Sequence, residues 1–134
     1  MAKGGLMEFT VQQAVNFEAF SEYNYEMIDT GGAPASTTYG AITGGSSSYI
    51  SSANPAKKVV IYTTAATGSG LGSDAVDNAD ILYVQLNGET SAPKTIAIDN
   101  GDLPFTISGL AITSLQVGNS DDDSNESVCV LSFH

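Results

Sequence analysis

Tryptophan is absent from this sequence, cysteine and histidine occur once each, and only 4 of 134 residues are Lys or Arg. Each shortage closes a class of function. A single cysteine, Cys129, allows neither an internal disulfide nor a cysteine-rich metal site. It stands in "ESVCVLSF" among apolar neighbours and away from positive charge, so a buried, unoxidised thiol is expected rather than a reactive one. The 4 basic residues face 15 acidic ones, a formal net charge of −11. Nucleic-acid binders and proteins that dock on anionic lipid need clustered Lys and Arg, so neither nucleic acid nor membrane is an expected partner. An acidic excess keeps a chain soluble and complements a basic partner. No run is long and apolar enough to span a membrane, and "MAKGGLMEF" has no signal-peptide core. The expectation is a protein made in a cytosol, leaving it, if at all, by a route other than secretion.

What is present is a series of short β-prone runs in the second half. Runs near 58–64, 80–87, 94–99, 103–107, 110–117 and 126–133 are rich in Val, Ile, Leu, Thr, Tyr and Phe, and turn residues bound them. Leu82, Val84 and Leu86 share one face, and Ile96 with Ile98, Phe105 with Ile107, Leu115 with Val117, and Val128 with Val130 repeat the two-residue period. The joints read "NG" at 87–88, "DNGD" at 99–102 and "SG" at 108–109, chemistry that suits hairpin turns. With no helical period between the runs, the pattern predicts an all-β fold, an antiparallel sandwich or barrel of jelly-roll or immunoglobulin-like style.

The first half is less regular. "MEFTVQQAVNFEAFSEYNYEMID" alternates at Phe9 and Val11, at Val15 and Phe17, and at Tyr23, Tyr25 and Met27. A helix through Ala14, Val15, Phe17 and Phe20 is the alternative, and two strands are favoured over it. The stretch "TGGAPASTTYGAITGGSSSYISSANPA" (30–56) is long for a connector and poor in large apolar residues. It reads as an extended Gly/Ser-rich arm that orders against a neighbouring molecule, with Tyr39, Ile42, Tyr49 and Ile50 as interface anchors. Residues 1–56 thus form N-terminal strands plus arm, and residues 57–134 the sandwich core, within one structural domain.

Several stretches imitate chemical motifs. "TGSGLG" (67–72) places Gly68, Gly70 and Gly72 as G-x-G-x-G, the wrong spacing for a phosphate loop, with no room for a helix before the next strand. "DDDSNE" (121–126) offers Asp121, Asp123 and Asn125 at alternate positions, yet Glu126 and Ser132 occupy the places where a calcium loop wants Gly and Glu. A solvated hairpin tip explains it better. His134, at the end of the chain, lacks the walled site and orienting partner of a catalytic histidine. The acids mostly cluster where turns are expected (Asp74, Asp77, Asp80, Asp99, Asp102 and Asp121 to Asp123), and no tryptophan is available for a sugar platform. No catalytic residue, cofactor or metal is expected, and the chain reads as a non-enzymatic interaction protein.

From residue 80 to 133, "ILYVQLNG", "KTIAIDNGD", "ISGLAITSLQVGN" and "ESVCVLSF" follow one another as strand, polar loop, strand and closing apolar strand. In this rhythm the sequence resembles small β-rich virion structural proteins of tailed bacteriophages, and is most similar to capsid decoration (cement) proteins. The resemblance is one of pattern, leaves the N-terminal part unmatched, and brings no catalytic residues. It implies a β-sandwich made in the host cytoplasm and carried on the virion. Its partners would be the major capsid protein and sister copies of itself, with a trimer favoured. Another virion part (neck, tail or fibre-attachment module) is the alternative. From a different class, a carbohydrate-binding β-sandwich would stack sugars on Tyr39, Tyr49 and Tyr83.

Overall fold

A computed structural model describes residues 20–34, 40–63, 74–75, 80–120 and 126–134. In chain order its strands are β1 (Tyr23–Asp29), β2 (Gly31–Gly32), β3 (Ala56–Tyr62), β4 (Asp74–Ala75), β5 (Ile81–Leu86), β6 (Ile96–Asp99), β7 (Phe105–Ile112), β8 (Leu115–Asn119) and β9 (Glu126–Phe133). Sheet A runs β1-β9-β3-β7, with β4 beside the start of β9, and sheet B runs β2-β8-β5-β6. The pairings are antiparallel except for two short parallel contacts, β2 with β8 and β4 with β9. The protein is an all-β sandwich.

Alternation decides what lies between the sheets. Val59, Ile61, Val128 and Val130 turn inward from sheet A and meet Leu82, Val84 and Val117 from sheet B in one buried cluster. Burying each such side chain fully contributes about 1.5–3 kcal/mol. Both halves of the sequence enter this arrangement, since β1 pairs with β9 along its whole length and β2 lies on β8.

Two of the three expected joints turn out differently. Ser108–Gly109 is no hairpin: β7 passes straight through it, with Gly109 at φ 86 and the β3 register shifting between Ala56 and Lys58. Two extra residues of β7 are absorbed there as a bulge, and the chain leaves sheet A only at residues 113–114, which lead to β8 of sheet B. The Asn100–Asp102 segment is a single 3₁₀ turn that carries the chain from β6 in sheet B to β7 in sheet A, so these two strands do not pair. Asn87 and Gly88 (φ 57 and 75) do form a tight turn, closed by Glu89 N–H donating to Leu86 O at 3.0 Å. The connection to β6 nevertheless runs on through a second 3₁₀ turn, Ala92–Lys94.

The Gly/Ser-rich stretch is fastened to its own chain over residues 40–50. Ile42 N–H donates to Gln85 Oε1 (2.9 Å), and Gln85 Nε2 returns a bond to Gly40 O (2.8 Å). Gln116 Nε2 donates to Ile42 O at 3.0 Å, and Val117 N–H to Gly45 O at 2.9 Å. Residues 45–47 thereby extend the β2 edge of sheet B along β8. Ile42 fills a slot left open by the missing side chains of Gly31 and Gly118, and Ile50 joins the core. Both were expected to anchor on a neighbouring molecule. They are 2% and 5% exposed, and their surface is spent inside this chain. Two glutamine side chains supplied the backbone partners that the composition alone did not reveal.

Gly45 has φ 66, and a Cβ there would run into the Val117 carbonyl; Gly44 has φ 82 but its Cβ would find open space out to Gly31 Cα at 3.9 Å. Gly44→Ala should therefore cost only the left-handed backbone penalty, about 1 kcal/mol, whereas Gly45→Ala should cost more and lower the thermal midpoint further. Equal shifts in thermal unfolding would contradict the close approach at Val117.

Candidate interaction surface

The outer face of sheet A carries what the core does not absorb. Alternation in β1 sends Tyr23, Tyr25 and Met27 outward, opposite Phe133, Leu131 and Cys129 of β9. From the other side β3 adds Lys58, Val60 and Tyr62, opposite the same three residues of β9. Tyr23 is 69% exposed and Tyr25 49%, while Val60, Tyr62, Leu131 and Phe133 are half-buried. A sheet with one face on a core usually shows polar side chains on the other, so this aromatic and aliphatic face is the informative feature. Contacts across it brace one end: Phe20 packs on Phe133 with ring centroids 5.3 Å apart, and Lys58 Nζ lies 5.5 Å above the same ring.

Beneath this face lies Cys129, buried as a free thiol. It points away from Val128 and Val130, and Tyr25 Oη sits 3.4 Å from its Sγ. The thiol contact, with desolvation behind it, pushes the Tyr25 hydroxyl up to about 12. Burial also raises the Tyr62 hydroxyl.

His134, set aside above as a catalytic residue for want of a partner, is paired with Ser132 at the end of β9. His134 Nε2 is 2.9 Å from Ser132 Oγ, and its Nδ1 is 3.1 Å from the Asn54 carbonyl. A carbonyl only accepts, so Nδ1 carries the proton and, in the neutral ring, Nε2 accepts from the serine hydroxyl. The pairing is that of a nucleophile and its base. Ser132 is only 1% exposed and His134 3%, however, so no substrate carbonyl reaches Oγ, and the pair serves to pin the chain. His134 N–H donating to Glu22 O (2.9 Å) and Ser21 N–H to His134 O (2.6 Å) complete the clamp.

The four residues nominated as anchors are not gathered into one site. Tyr39 lies outside the described residues, and Ile42 and Ile50 are buried. Tyr49 is exposed, on a turn tied to β1 by Glu26, whose carboxylate accepts from Ser47 Oγ at 2.6 Å and Ser48 N–H at 2.9 Å. Tyr83, half-buried, belongs to β5 of sheet B. The glycines of 67–72 and Asp121, Asp123 and Asn125 are outside the described residues. Glu126 is buried and accepts from Asn119 Nδ2, while Asn119 Oδ1 accepts from Asn100 Nδ2 at 3.1 Å. Among the described residues no three His, Cys, Asp or Glu side chains stand together as a metal site. The signal that could have found the outer face was present in the Tyr23, Tyr25, Met27 alternation, read there only as a strand.

Comparison with known proteins returns no matching family model, no matching curated protein and no matching solved structure.

Two measurements check this geometry. In an alkaline titration followed by tyrosine absorbance, Tyr25 should ionise last, near pH 12, and Cys129→Ala should move it back toward 10. Its folded value lies above its unfolded one, so its contribution to stability is complete below about pH 10 and is lost as pH rises toward 12. Ser132→Ala should cost about 1–3 kcal/mol in urea unfolding, by orphaning a buried imidazole nitrogen. A neutral substitution would show that the pair does not hold the chain.

Proposed function

We propose that this chain is a non-enzymatic virion structural protein, a capsid decoration protein that attaches to an assembled major-capsid-protein shell through the outer face of sheet A. One observation carries the reading: a hydrogen-bonded sheet presents Tyr25, Tyr62, Val60 and Leu131 on the side away from the core. Tyrosines held on a sheet lose little rotamer freedom when a partner covers them, so modest contacts become productive. Repetition across a shell multiplies such contacts into tight attachment. A formal charge of −11 favours solubility of free copies before they dock. The walled-in Ser132–His134 pair supports a binding role over a hydrolytic one. The strand-and-loop rhythm of residues 80–133 is similar to that of decoration proteins and points the same way.

The test is co-sedimentation of the purified chain with expanded, empty capsid shells. Binding should saturate at a fixed number of copies per shell. The double variant Tyr25→Ser/Leu131→Thr should weaken it about tenfold or more, since interface anchors of this kind carry at least ~1.4 kcal/mol. A wild-type chain that binds no shell overturns the reading, and retention on tails instead would move it to another virion part. Equal affinity of variant and wild type would take the contact off this face.

A further inference from the structure

We infer that sheet A continues from one copy of the chain into the next, the β7 edge of one copy receiving the Tyr23–Tyr25 end of β1 from a second copy. This rests on the proposed role as a building block and names the sister copy as a partner. β1 and β7 are the two ends of the sheet A strand order, and among the described residues no strand pairs with the outer side of either.

The ladder itself says which backbone groups face outward. Thr30 N–H donates to Glu126 O and His134 N–H to Glu22 O, so even-numbered residues of β1 turn toward β9. Tyr23 and Tyr25 therefore aim their N–H and C=O groups away from the sheet. Carried across the register of β9 and β3, the same alternation bonds Phe105 and Ile107 of β7 to β3 and leaves Thr106 and Ser108 facing out. Farther along, β7 is closed by Asn87, whose Nδ2 donates to Ala111 O at 3.0 Å. The four strands alternate in direction, so the β1 of a following copy meets β7 antiparallel, the commoner pairing.

Charge selects the partner. No residue of β7 is charged, yet three of the chain's 4 basic residues surround it. Lys58 lies opposite Ser108, Lys57 lines an open groove of about 470 Å³ with Phe20 and Ser108–Ala111, and Lys94 lines a second groove shared with Leu110. The β1 end is acidic, with Glu22 and Glu26. Two β7 edges brought together would set lysine against lysine, whereas β7 against β1 sets lysine against glutamate. Tyr23, on the outer face, would then lie over the groove beside Leu110. Such head-to-tail contact is heterologous, and strand twist makes it close into a ring or wind into a filament.

The experiment is sedimentation velocity on the purified full-length chain without shells, so its outcome is independent of capsid binding. Wild type should form species larger than a dimer, and raising salt from about 0.05 M to about 0.5 M should weaken association at least tenfold by screening. Tyr23→Pro and Thr106→Pro each remove an outward N–H and spare the inner ladder. Each variant alone should be monomeric, and an equimolar mixture should give a heterodimer and nothing larger, since each keeps one working edge. Circular dichroism checks folding. If a proline variant unfolds, Glu22→Lys for β1 or Leu110→Glu for β7 replaces it as the blocked partner. A monomeric wild type, a blocked variant that still pairs with itself, or a mixture that stays monomeric overturns the inference.

Discussion

β9 is hydrogen-bonded along both edges and covered on both faces, by β1 and β3 in the plane, by the core on one side and by Tyr25 above Cys129 on the other. Its two ends are polar and equally engaged. At the start the Glu126 carbonyl accepts from Thr30 N–H at 2.9 Å, and its buried carboxylate accepts from Asn119. At the far end the His134 ring bridges Ser132 and Asn54. A buried carboxylate or imidazole is costly without partners, so these contacts hold only in one register. A slip of one residue would send Cys129 and Leu131 into the core and Val128 and Val130 out. The sandwich is specified from its central strand outward.

With the core side of β9 committed, the surface of sheet A follows. Odd positions of β1 and β9 lie on the outer side, and apart from Asp29, Ser127 and Cys129 they hold tyrosine, methionine, leucine and phenylalanine. The chain's many acids cannot dilute this face, because none of its charged residues except Asp29 and Lys58 falls on the described outward positions of β1, β9 and β3. A strongly acidic chain thus presents an aromatic sheet face and, at β7, an uncharged edge rimmed by lysines. Both features follow from strand alternation and register rather than from the overall charge of the chain.

The positions of β3, β5 and β9, and of β1 in the first half, were legible because a half-buried strand repeats every two residues. Turn chemistry was less reliable. The glycine of "SG" supplies a positive φ whether the chain reverses or bulges, and only the β3 register decides between them. Asn100–Asp102 is an ordinary turn in sequence, and which sheet receives the next strand is not written in it. The stretch from Gly40 to Ile50 was misjudged because small residues do not pack a core of their own; here Gln85 and Gln116, more than thirty residues later, provide the bonds.

By itself the sequence determined the β class, the scarcity of cysteine, histidine, Lys and Arg, and the acidity, since these depend on composition and on local period. The tertiary structure alone decided that Ile42 and Ile50 turn inward, that the terminal histidine is walled in beside a serine, and that Tyr25 lies over the single thiol. Each of those pairs residues far apart in the chain. Their meeting depends on strand order and register, which long-range packing selects and which no local pattern encodes.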